Sequence, residues 1–202
     1  MPNNRERDII VSQILLPSLR KLYEMDYFNI RNGVSERNIC ARLAHNMEII
    51  MHESNLYIDY FADVEYNRKN DGSGKHYDNS QKVSPAMVAD LIVHKRNADN
   101  NLLAVEMKRW NNYDKRKADR ERLESVVSSP EVKKDDCVYD TTLGVFIIYS
   151  PERIFLEFYE NVNGNGKQTG EMELACIMDD SRLVSLEKVR EVWKNHKEIT
   201  EL

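Results

Sequence analysis

The first apolar rhythm in the chain is helical. Over residues 5–25, Ile9, Ile10, Leu15, Leu16, Leu19 and Leu22 recur at helix spacing. Pro17 is expected to bend this helix or to start a second one, because proline suits a first turn and breaks an interior. Asn32-Gly33 marks a turn, and Ser35 is placed to cap the next helix. Residues 36–53 read as that amphipathic helix: Cys40, Leu43 and Met47 come after Glu36 at offsets of four, seven and eleven, one stripe of an α-helix. Glu36 therefore sits on the apolar face, where a carboxylate needs a partner, a metal or a functional reason. At a first turn it can instead reach solvent or favour the helix dipole.

Strand rhythms come next. Residues 57–66 alternate, with Ile58, Tyr60, Ala62 and Val64 on one face and Asp59, Asp63 and Glu65 toward the other. A polar loop at 70–82 leads to two apolar runs, 87–94 and 101–110, separated by a polar turn. A charged helix is expected over 113–127, on Leu123, Val126 and Val127. Residues 142–149 and 153–160 read as a hairpin across Ser150-Pro151-Glu152, and 171–177 as a short strand. Leu186, Val189, Val192 and Trp193 predict a final helix. The order points to an α/β protein, a central mixed β-sheet flanked by helices, in one domain over residues 1–202.

Composition narrows the class. The chain of 202 residues is 41% hydrophobic, enough for a sizeable core, and has no apolar run long enough to span a bilayer. Its N-terminus is charged where a signal peptide needs an apolar stretch, so a cytoplasmic location without membrane association is expected. Cys40, Cys137 and Cys176 are odd in number and widely spaced, which suggests neither a disulfide framework nor a zinc knuckle. With 29 basic and 34 acidic side chains the net charge is −5. Nucleic acid would then be met through a local patch, or where bound metal cancels acidic charge.

The central strands carry charges that strands of this apolarity should not. Asp90 interrupts Met87, Val88, Ala89, Leu91, Ile92 and Val93, while Glu106 and Lys108 interrupt Leu102, Leu103, Ala104, Val105 and Met107. Both strands read as buried on two faces, where unpaired charges are costly. Glu106 and Lys108 share a face, and Asp90 lies beside Glu106 if the strands are neighbours. Two converging carboxylates repel unless a proton or a cation intervenes. Mg²⁺ takes oxygen ligands and keeps several waters, so two carboxylates suffice, and a nearby lysine can orient water or stabilise phosphate charge.

Asp90, a short gap, then Glu106-x-Lys108 on consecutive hydrophobic strands resembles the PD-(D/E)xK nuclease superfamily, in the stretch ADLIVHKRNADNNLLAVEMK. Glu36 matches the acidic residue that many members carry on a preceding helix. The resemblance covers about residues 34–160 and implies a restriction-endonuclease-like core (helix, three strands, helix, strand), with extra N- and C-terminal helices. It implies Mg²⁺- or Mn²⁺-dependent cleavage of DNA, in preference to RNA. Asp90, Glu106 and Glu36 would be the metal residues and Lys108 would act on the attacking water; a homodimer is left open. The proline that usually precedes the aspartate is Ala89 here.

A bare acidic-x-Lys pattern carries little information, since Glu131-x-Lys133 matches too, in a polar stretch. The segment 108–122 holds seven basic side chains against three acidic ones. Arg109, Lys115, Arg116 and Arg120 are its candidate phosphate contacts; the bland alternative is a solvated helix face. Trp110 can stack on a base or plug the sheet end. His94 shares strand parity with Asp90, but four residues of strand is about 13 Å, so a structural or rim role suits it better than ligation. Glu65 can border the site or be solvated. Two rivals to a nuclease stand: a silent nuclease-fold module that binds nucleic acid or a partner protein, and a globular adaptor whose strand charges merely pair.

Overall fold

A computed structural model describes residues 4–65, 89–96, 98, 100–129, 140–180 and 182–194. The loop expected at 70–82, the start of the strand expected at 87–94, and Glu131-x-Lys133 lie outside the described residues.

The chain opens with a continuous helical rod: α1 (Asn4–Ile9), a π-helical stretch (Ile10–Leu15) and α2 (Leu16–Asn32). Pro17 has no N–H to offer the preceding turn; the widened stretch just before it absorbs that loss, and α2 begins with Pro17 in its first turn. The wider turn also puts Ile10, Val11, Ile14 and Leu15 together in the core. Gly33 ends α2 in the left-handed region (φ 73°). A Cβ there would sit 2.0 Å from an Arg109 guanidinium nitrogen, so the site needs glycine twice over. Ser35 accepts a hydrogen bond from Asn38 N (3.3 Å) and caps α3 (Glu36–Glu53).

Seven strands form one sheet in sequential order: β1 (Tyr60–Val64), β2 (Leu91–Lys95), β3 (Asn100–Arg109), β4 (Asp140–Tyr149), β5 (Arg153–Val162), β6 (Asn165–Asp179) and β7 (Arg182–Trp193). All neighbours are antiparallel except β3 and β4, which run parallel across the crossover helix α4 (Arg116–Val127). The result is a mixed sheet with helices on both faces. The N-terminal helices pack on one face, with Leu91, Val93, Leu103, Val105 and Met107 inside the main core. Helix α4 covers Ile92, Ala104, Phe146 and Tyr159 on the other. Arg7 ties the first helix to the far half of the sheet: it reaches buried Glu160 (3.2 Å) and lies over the Trp193 ring (4.0 Å).

Two expectations need correction. Residues 182–193 form a strand, not a helix, and the short strand expected at 171–177 is the middle of the fifteen-residue β6. The register explains the first. Between β6 and β7 the pairing slips at Ile177/Met178 and at Glu173/Leu174, each time passing over one residue of β7. Leu183, Leu186 and Trp193 therefore share the core side despite mixed parity, at steps of three and seven that also fit one stripe of a helix. In addition, Ile58, expected inside, is 58% exposed, because β1 begins only at Tyr60. None of the described helices is long and apolar enough to cross a membrane.

Candidate active site

The pairing of Leu91 with Val105 carries Asp90, one residue before β2, opposite Glu106. Both side chains, with Lys108, face α4. Asp90 Oδ2 accepts from Met107 N (2.8 Å), which fixes the aspartate against β3. Burial raises the Asp90 carboxyl; the Met107 amide, then Lys108, oppose it. Glu106 is 1% exposed, and burial, then Asp90, push it well above the ordinary carboxyl range, with Arg122 opposing. Burial thus acts on both carboxyls in the same direction, the more strongly on Glu106.

Lys108 stands among carboxylates: its Nζ lies 3.4 Å from Asp119 Oδ2, 3.8 Å from Glu36 Oε2 and 4.0 Å from Asp90 Oδ2. Burial lowers its pKa, but Asp90, Asp119, Glu36 and Glu106 together outweigh that and raise it. Glu36 turns toward the site and not to bulk water. Its Oε1 accepts from Arg109 N (2.9 Å) and Asn112 Nδ2 (2.8 Å). Glu36 and Asp90 also line an open cleft with Arg37, Cys40, Val64 and Glu65. Glu65 borders the site through its N–H, donated to Asp90 O (3.3 Å), while its carboxylate pairs with Arg37. His94 is buried with Nε2 2.9 Å from Asp63 Oδ2.

Two participants escaped the reading of the sequence. Asp119 and Arg122 project from α4 into the site: Asp119 is 1% exposed and pairs with Arg122, whose Nε is 2.9 Å from Glu106 Oε1. The signal was present, since Asp119 precedes Leu123 and Val126 by four and seven, the buried stripe of that helix. The charges close into a ring, Asp90–Lys108–Asp119–Arg122–Glu106. The ring is imperfectly bonded: Glu106 Oε1, Asp119 Oδ2 and Arg122 Nε are buried without a hydrogen-bond partner, because the pairs are close but misaligned.

Most of the basic segment is engaged within the protein. Arg109 donates to the carbonyls of Ile30 and Arg31 (both 3.4 Å), closing the end of α2. Arg116 donates to the carbonyls of Asn112 (2.8 Å), Arg109 (3.2 Å) and Trp110 (2.7 Å). Arg120 forks onto Glu157 at 2.8 and 2.7 Å. Of the four candidate phosphate contacts, only Lys115 stands exposed with its side chain clear of these bonds.

The donors suit a hard divalent ion only in a sparse form. Among the described residues no three His, Cys, Asp or Glu side chains are grouped to hold a metal ion. Asp90 and Glu106 offer two carboxyl groups opposite one another, and Glu106 Oε1 lacks a hydrogen bond. A Mg²⁺ or Mn²⁺ ion held there would complete its shell with water. No family model, no curated protein and no solved structure matches this chain.

Proposed function

We propose that this chain is a divalent-metal-dependent nuclease that hydrolyses phosphodiester bonds, of DNA in preference to RNA, on a restriction-endonuclease-like core. The observation that carries the reading is the placement of Asp90 opposite Glu106 on the central strands, with the Lys108 ammonium 4.0 Å from Asp90 Oδ2. Asp90 and Glu106 would hold Mg²⁺ or Mn²⁺, with Glu36 assisting across Lys108. When bound, the ion would polarise the phosphoryl oxygen and stabilise the leaving oxygen. Lys108, kept protonated by its carboxylates, serves as a hydrogen-bond donor that orients water and balances phosphate charge. Met107 N–H fixes Asp90, while Arg109 N–H and Asn112 fix Glu36, so the acidic groups are held before any substrate arrives.

A second reading rests on the ring of ion pairs. Each carboxylate already faces a cation of the protein, the arrangement expected of a catalytically silent module that binds nucleic acid or a partner protein. One experiment separates the two. Mn²⁺ should raise the melting temperature of the wild type and not of Asp90→Asn. With Mn²⁺, the wild type should cut plasmid or oligonucleotide DNA, and Asp90→Asn should lose about 10² or more of that rate. A wild type that neither gains stability from Mg²⁺ or Mn²⁺ nor cuts any DNA or RNA overturns the nuclease.

A further inference from the structure

Two residues past Lys108 the chain leaves the sheet and presents two large rings to solvent: Trp110 is 51% and Tyr113 69% exposed. An aromatic pair on a turn costs free energy in water unless something covers it or uses it. This turn is also unusually well held. Trp110 N donates to Tyr149 O (2.9 Å), Asn112 N to Arg109 O (2.9 Å) and Asp114 N to the Asn112 side chain (3.1 Å). The Arg116 guanidinium clamps three carbonyls of the turn and lies over the Tyr113 ring at 4.4 Å. Asn112 in turn holds Glu36, so the rings and the acidic site share one rigid piece of backbone.

We propose that Trp110 and Tyr113 form a stacking platform for unpaired bases of single-stranded DNA. The proposal rests on the nuclease reading for its choice of DNA as occupant. Three observations favour that occupant over a protein surface. Arg116 backs the Tyr113 ring, and exposed Lys115 and Lys117 (the latter 3.7 Å from Glu121) follow it along the chain, so positive charge lies beside the rings, as a strand of stacked bases and phosphates requires. The apolar area is confined to two rings on a polar turn. The turn is pre-ordered, so little side-chain or loop entropy remains to be lost on stacking. A duplex hides the faces of its bases; a single strand, a frayed end or a flap offers them.

The test is made in EDTA, where a metal-dependent enzyme cannot cut, with a twelve-residue oligothymidylate and a duplex of equal length as probes. Quenching of tryptophan emission by the single strand should come from Trp110 and vanish in Trp110→Ala, because Trp193 is packed against Phe158 and Arg7. Trp110→Ala and Tyr113→Ala should each weaken single-strand affinity by about 5- to 100-fold, the usual scale for one stacked base. Duplex affinity should change less than about twofold on the same scale, and Trp110→Phe should recover most of the loss. Unchanged single-strand affinity in both alanine variants overturns the platform, as does an equal loss on duplex. A dimer in sedimentation that disappears in Trp110→Ala would overturn it in favour of a second copy of the chain. The two readings fail separately: Trp110-dependent binding in a chain that cuts nothing keeps the platform and removes the nuclease, while metal-dependent cutting with Trp110-independent binding does the reverse.

Discussion

Lys108 has the most crowded electrostatic surroundings in the described structure. Its side chain is 12% exposed and faces Asp119, Glu36 and Asp90 within 4.0 Å. Lys108→Met keeps length and apolar character but leaves those carboxylates facing one another. The metal-free protein should lose about 3–5 kcal/mol, the range for breaking a buried charge network by removing one partner. Chemical denaturation measures it, and Lys108→Arg should restore most of the loss. If Asp90 and Glu106 hold a metal, Mn²⁺ should stabilise Lys108→Met more than the wild type, because the ion then supplies the missing positive charge. Asp90, Glu106, Lys108 and Glu36 were legible in the sequence because a charge in an apolar strand, or on an apolar helix stripe, must have a reason. Asp119 and Arg122 were not read, because α4 is so rich in charge that two buried members do not stand out. Arg109 and Arg116 illustrate the opposite error: a run of basic residues does not show which of them are bound to backbone carbonyls.

Helix α4 is the element that closes the ring, and it does so through one face: Leu123, Val126 and Val127 pack on the sheet while Asp119 and Arg122 reach its charges. Arg122→Gln should destabilise the protein by about 3 kcal/mol, since it leaves a buried carboxyl without its cation. Adding Glu106→Gln should recover much of that loss, because two neutral groups of similar shape tolerate burial better than one orphaned charge. Denaturation of the two singles and the double gives the coupling directly; additive losses would mean that the Arg122–Glu106 contact contributes nothing. Among the elements, α2, α3, α4 and the two central strands are legible from their own apolar rhythm. Strand β7 is not: its two register slips are set by pairing with β6, and a rhythm broken twice by a neighbour mimics the spacing of a helix.

At the scale of the whole molecule the sheet is layered through its middle and open at its end. The N-terminal helices cover one face and α4 part of the other, while Phe155, Ile177, Val189 and Val192 remain 40–56% exposed toward the β7 side. Strand β7 is also the last in the order, and among the described residues no strand pairs its outer edge. Twelve residues of free edge beside exposed apolar side chains are a template on which a second molecule can add. The charges at residues 187–191 oppose such pairing. A two-fold antiparallel copy must centre on some residue, and its neighbours then face their own counterparts. Centred on Glu187, Lys188 or Arg190, a charge meets itself; centred on Val189, Lys188 meets Arg190 and Glu187 meets Glu191. Like charges directly opposite one another oppose pairing. Replacing Glu187, Lys188, Arg190 and Glu191 together by threonine should leave the monomer folded yet make it associate through β7, seen as a concentration-dependent rise in mass by light scattering that the wild type lacks. The alternating signs along this border thus act as a code that the strand matches poorly with its own reflection wherever the centre falls at residues 187–190.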